Sequence, residues 1–178
     1  FETRHVSMLN AAASLENIVV VDGLSKSHAM SGWRVGWAVA PTPFASDLAN
    51  LSGAAFFGVS QFIQDAATRA LTRYEPRVQA MREAYRERRD YVMKRIARTN
   101  ELTAEPPEGG MFVLVRTPED GSAFARRLLD GAGISTVPGG GFGESTRDYV
   151  RIGLTQDLSV LERAFDRIEQ WLALGRAD

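Results

Sequence analysis

The chain has no cysteine, so no disulfide framework can hold it together. Histidine is almost as scarce, with two residues in 178. Charge is balanced, 21 Lys and Arg against 22 Asp and Glu. That balance gives no basic excess of the kind that binds nucleic acid, and there is no acidic tail. No apolar run approaches the roughly 20 residues that span a bilayer. The first residues are Phe1-Glu2-Thr3-Arg4, without an initiator methionine or a signal-peptide pattern. A processed protein or a piece of a longer one is therefore expected, with the cytoplasm as its compartment. What is present is an ordinary globular composition, 44% apolar and 24% charged, long enough for one large domain or parts of two.

The apolar run "IVVVD" at 18–22 reads as a buried strand of a parallel or mixed sheet. A second strand is expected at 35–40. It is stopped by "PTP", and Thr42-Pro43 opens a helix to about Ser52. Residues 52–60 read as a loop with two glycines, followed by a helix from Gln61 to Thr72. Glu75-Pro76 starts a long helix to about Arg98, with Val78, Met81, Tyr85, Val92 and Ile96 on a helical period. Its many arginines, interspersed with Glu83, Glu87 and Asp90, predict a solvated face rather than an anion patch. Beyond it the pattern predicts a strand at 111–115 and a helix at 121–132 with Phe124, Leu128 and Leu129 inward. A strand at 134–137, a glycine loop at 138–146, a strand at 149–154 and a closing helix at 157–174 complete it. The predicted class is α/β, in two parts: 1–95, and a small domain at 96–178 with helices over a sheet.

The chemistry gathers in "GLSKSHAMSGWRVGW", residues 23–37. Lys26 stands between Ser25 and Ser27, just past a strand. A lysine in such a place forms an imine with an aldehyde once neighbouring charge or desolvation lowers its pKa. Arg34, eight residues on, can supply that charge or clamp a phosphate with its planar fork. The serines offer hydroxyl donors, and Gly32 and Gly36 allow close backbone approach. A phosphorylated aldehyde, held covalently by lysine and ionically by arginine, suits these parts. An ordinary surface lysine in a serine-rich turn is the alternative.

The same stretch resembles the pyridoxal-phosphate attachment motif of the class I/II aminotransferases, which are fold-type I enzymes. A small, an apolar and a small residue precede the lysine, and the arginine follows eight positions later. The resemblance implies that Lys26 forms the internal aldimine and then moves the proton between Cα and the cofactor. It also implies that Arg34 and Ser25 contact the cofactor. Many members carry serine three residues before the lysine. Gly23 stands there, so that contact is lost or supplied elsewhere.

The resemblance continues through "PEGGMF" (107–112), "VPGGGFG" (137–143) and "YVRIGL" (149–154). The last implies that Arg151 binds the substrate carboxylate. An arginine amid apolar strand residues is costly to bury unless it meets an anion. A structural pair with a buried acid is the competing reading. Gly109, Gly110 and Gly139 to Gly141 line the site or are plain turn glycines. His28, where the family often has tyrosine, reads as a packing or cofactor-shell residue rather than an acid/base group. Trp33 and Trp37 are expected in the core. Phe56 and Phe57 either reach toward a partner subunit's active site or belong to the core.

Four segments together are most similar to arginine–pyruvate transaminases and their bacterial relatives. Family chains are about twice this length. This one resembles their C-terminal half: the end of the large-domain mixed sheet, a long interdomain helix and the small α/β domain. Pyridoxal 5′-phosphate, amino-acid and keto-acid substrates, and a homodimer with shared active sites follow by implication. No metal, nucleic acid or membrane is implied. In the family an aspartate near the pyridine nitrogen lies before the point where this chain begins, and Asp22 does not fill that role. The 178 residues alone are expected to be inactive and to hold the cofactor poorly. A fold-type I lyase or synthase, and the effector domain of an aminotransferase-like transcription regulator, are the alternatives.

Overall fold

The computed structural model describes residues 1–73 and 75–175. The chain forms two compact units. One is Thr3–Ala80; the other joins Phe1–Glu2 to the residues from Met81 onward. The sequence pattern puts the change at 95/96, whereas the second unit also takes most of the long helix, from Met81 onward.

In the first unit a short helix α1 (Met8–Ala11) precedes strand β1 (Val20–Gly23), the single turn α2 (Leu24–Ser27) and strand β2 (Gly36–Val39). Helices α3 (Thr42–Phe56) and α4 (Gln61–Thr72) follow, and α5 (Pro76–Ile96) runs through the division. β1 and β2 pair antiparallel, with Val20 opposite Val39 and Gly23 opposite Gly36. The buried strand expected at 18–22 is not observed: Val21 is 78% exposed, and Val19 is exposed as well. A two-stranded ribbon leaves much of both faces open. Leu24, fully buried just past β1, is the anchor of this region.

α3 corrects a second expectation. It continues past Ser52 and Gly53 to Phe56 and ends where Phe57 turns left-handed at φ 58°. One glycine in a helix costs only about 1 kcal/mol, which the flanking alanines tolerate. Phe56 is exposed and Phe57 is 95% exposed, so neither belongs to a core. Trp33 is likewise exposed, not core, because the 3₁₀ turn Ser31–Trp33 presents it outward.

The second unit is a three-stranded antiparallel sheet of order β3-β5-β4. The strands are β3 (Phe112–Arg116), β4 (Val137–Pro138) and β5 (Tyr149–Gly153), with helices α6 (Gly121–Ala132) and α7 (Leu158–Leu174). Alternation sorts the side chains. Val113, Val115 and Val150 point to one face. There they pack with Phe124 and Leu128 of α6, Leu161, Phe165 and Ile168 of α7, and Val92 and Ile96 of α5. Phe112, Leu114, Arg116, Tyr149 and Arg151 take the other face.

Leu129, expected inward, is half exposed, since it lies about 100° around the helix from Leu128. The strand expected at 134–137 shrinks to Val137–Pro138. Gly133 is left-handed, and Gly133 and Ile134 donate to the Leu129 and Leu128 carbonyls to close α6. Residues before Val137 therefore serve the helix end.

Arg77, Arg82 and Arg86 of α5 are exposed, as expected of a solvated face, but two other arginines of the helix are not. Arg95 is buried and donates to Glu169 (2.6 Å), Asp166 (2.7 Å) and the Tyr91 hydroxyl. Arg89 is buried too. These are internal ion pairs, not a solvated face, and their carboxylates hold both guanidinium groups firmly charged. Among the described residues no helix is long and apolar enough to cross a membrane.

Candidate functional site

β1 ends at Gly23, and the chain turns at once into α2. That turn puts Lys26 in the open, above the buried Leu24. Ser25, Lys26, Ser27, Arg34 and Gly36 border one cavity of about 550 Å³, together with Asp22 and Gly23. A primary amine, a guanidinium and two hydroxyls thus share one concavity. This donor set suits an aldehyde that bears a phosphate. Asp22 accepts a hydrogen bond from the Gly23 N–H at 2.6 Å. His28 is outside the cavity lining and pairs with the Ser27 hydroxyl at 2.9 Å.

The backbone here is shaped by two non-glycine residues at positive φ, Ala29 (54°) and Arg34 (53°). Each costs roughly 1–2 kcal/mol relative to the right-handed region. Arg34 Nη1 donates to the Ser31 carbonyl at 2.9 Å, which ties its side chain back over the turn. Nothing in the residue pattern signalled either left-handed residue.

Gly36 has the close-approach role expected of it, and Gly32 does not. A Cβ on Gly36 would lie 2.7 Å from the Asp22 carbonyl oxygen, while one on Gly32 would meet nothing within 4 Å. Gly23, opposite Gly36, is confined too, with the Val35 oxygen 3.0 Å from an added Cβ, so a side chain there would crowd that oxygen. Gly36→Ala is expected to cost about 1–3 kcal/mol of stability and Gly32→Ala much less. Thermal unfolding followed by circular dichroism checks this, and equal melting of the two variants would contradict it.

A second cluster lies in the other unit. Arg151 sits on the central strand, opposite Leu114 of β3 and Val137 of β4. Its guanidinium carbon stands 4.1 Å from the centroid of the Phe112 ring and 4.9 Å from that of Phe142. The segments 107–112, 137–143 and 149–154 thereby meet at one side chain. Stacking on two rings desolvates the faces of the cation and fixes its plane. Among the described residues no carboxylate lies within ion-pair distance of Arg151. The structural pair with a buried acid is therefore not what is found here. The cluster borders a cavity of about 770 Å³, lined also by Arg116, Tyr149 and Glu105. None of the glycines at 109, 110 or 139–141 borders it. Gly139 is a packing glycine, with the Thr146 oxygen 2.2 Å from an added Cβ.

The sequence reading singled out Arg151 but not the two rings that hold it. The signal was there, in an aromatic residue closing each glycine-rich segment.

Comparison with known proteins bears on both clusters. The family profile "Aminotransferase class I and II" matches residues 2–168. An arginine–pyruvate transaminase of Pseudomonas aeruginosa is 43% identical, over 99% of this chain and 46% of its own length. An LL-diaminopimelate aminotransferase of Maridesulfovibrio salexigens is 34% identical over 95% of this chain and 44% of its own. Among solved structures, an aromatic aminotransferase of Pyrococcus horikoshii superposes with a TM-score of 0.94 at 30% identity, covering 99% of this chain and 48% of that one. The chain thus spans about half the length of the relatives it matches. With a profile match along nearly its whole length, it belongs to the class I and II aminotransferase family.

Proposed function

We propose that the chain is the C-terminal half of a pyridoxal-phosphate-dependent aminotransferase that moves an amino group from an amino acid to a 2-keto acid. The observation that carries this reading is the single cavity shared by Lys26, Arg34, Ser25 and Ser27. The fit to the cofactor is chemical and steric. An amine is available for an aldehyde, a guanidinium and hydroxyls for a phosphate, and two positions without side chains, Gly23 and Gly36, line the same cavity. When bound, pyridoxal phosphate supplies the aldehyde that condenses with amines and the ring that takes up electrons from the substrate's Cα–H bond.

The residues of the chain do the rest. Arg34 and Ser25 would hold the phosphate. Lys26 would hold the cofactor's aldehyde carbon, and its amine would take the proton from the substrate's Cα and return it. Arg151 takes the α-carboxylate through a bidentate contact, its plane fixed by Phe112 and Phe142. The 43% identity to an arginine–pyruvate transaminase makes a basic amino acid the first donor to try, with pyruvate as acceptor. Phe56, Phe57 and Phe62, exposed on α3, its end and α4, support a homodimer in which a second subunit covers them. A cytoplasmic location goes with this reading. The 178 residues alone are expected to show no turnover.

The test is covalent trapping. The full-length protein is incubated with pyridoxal phosphate, reduced with borohydride and digested, and the modified peptide is mapped. An adduct on Lys26 is expected. An adduct elsewhere, or none, would overturn the reading.

A further inference from the structure

Arg89 is 7% exposed. Its Nη2 and Nη1 donate to the two Glu2 carboxylate oxygens at 2.7 and 2.8 Å. Its Nε donates to Asp90 at 2.9 Å. The Phe1 ring lies 4.7 Å from its guanidinium carbon. The hydrogen bond from Arg89 holds the Glu2 carboxyl down at about 2, against an ordinary 4.5. The pair is therefore ionised at neutral pH.

One further contact points elsewhere. Arg89 Nη1 also donates to the Pro107 carbonyl at 3.2 Å. Arg82 holds the Phe1 carbonyl, beside the ring that lies on Arg89. The chain is thus fixed at Pro107, just before Gly109-Gly110. Those glycines would otherwise be the freest joint of the segment, and Gly110 has φ +86°. Past the joint, the Met111 carbonyl is held by the Leu154 N–H at 2.8 Å, and Phe112 lies against the Arg151 guanidinium. The turn that presents Phe112 is pinned at both ends, and Arg89 is the side chain that organises the first.

We propose that Arg89 is a positioning residue for substrate binding: through the Pro107 carbonyl it sets the turn that presents Phe112, and thereby the plane in which Arg151 receives a carboxylate. This rests on the reading that Arg151 binds the substrate carboxylate. Arg89 touches no reacting atom in that scheme.

Two variants and two readouts test it. In the full-length enzyme, Arg89→Met is expected to raise the amino-acid KM about tenfold or more. The kcat and the pyridoxal-phosphate affinity should stay within about threefold. Glu2→Gln keeps the Pro107 contact and should raise KM by less. In the same full-length enzyme, the Arg151 Nε–H resonance should move in Arg89→Met without any substrate. An unchanged KM in both variants overturns the proposal. So does an Arg151 resonance that stays in place, or a parallel fall in KM-based affinity, kcat and cofactor affinity. If Arg89→Met does not fold, Glu2→Gln decides, since its carboxylate is mostly exposed, and an unchanged KM there overturns the proposal. A wild-type enzyme without transamination would instead mark the failure of the functional reading, and the resonance test would still stand.

Discussion

Lys26→Ala in the full-length protein is expected to lower kcat for amino-group transfer by at least about 10³-fold, with little change in melting temperature. The size of the effect follows from the two jobs assigned to one amine. Under the proposed function it would secure the cofactor's carbonyl carbon and carry the proton at the substrate's Cα. No other amine lines the cavity beside Arg34. The small cost in stability follows from exposure, since the Lys26 side chain is outside any core and surface truncations usually change stability by less than about 0.5 kcal/mol. Steady-state assay with an amino acid and a keto acid, beside a thermal melt, separates the two effects. Turnover within tenfold of wild type would remove Lys26 from its role. A collapse of the melt would show instead that the α2 turn depends on the lysine for structure.

Arg151→Ala is expected to act on a different quantity. A bidentate guanidinium–carboxylate contact is worth roughly 2–3 kcal/mol, so the amino-acid KM should rise about 30–150-fold. The affinity for pyridoxal phosphate should hold, because Lys26 and Arg34 stand in the other compact unit of the chain. Arg151→Lys keeps the charge but loses the planar fork and the double ring stack, so it should recover only part of the loss. Titration of the cofactor, monitored by its absorbance, and substrate saturation curves give the two numbers. Equal losses in both, or none in either, would make Arg151 a structural cation.

The legibility of the fold tracks how local each signal is. α4 runs from Gln61 to Thr72, and α6 from Gly121 to Ala132, as their periodicity and end residues predict. The same holds within a residue for β3, β5 and α7. All of these are decided by caps, glycines and alternation within a few positions. What was not legible depends on partners far away in the chain. Arg89 reads as surface charge until Glu2, 87 residues earlier, is brought to it. Arg95 does so until Asp166, 71 residues later, arrives. Likewise "IVVVD" has the composition of a buried strand, yet composition cannot say how many neighbours a strand will have. The Lys26 cluster was legible because its residues are close in sequence. The ring pair around Arg151 joins three segments, and only the folded sheet shows that they converge on one guanidinium.

The attachment of Phe1 and Glu2 to the unit that begins at Met81 has a practical consequence for dissecting the protein. That unit is discontinuous: the 78 residues Thr3–Ala80 separate Phe1-Glu2 from Met81. A recombinant piece starting at Met81 would contain the whole three-stranded sheet and both of its covering helices. It would still lack the carboxylate and the ring that enclose Arg89. The Arg89 guanidinium would then lose its cover and keep only Asp90 and one carbonyl as protein partners. A well-behaved minimal domain therefore calls for grafting the Phe-Glu dipeptide back through a short linker, or for replacing Arg89 at the same time.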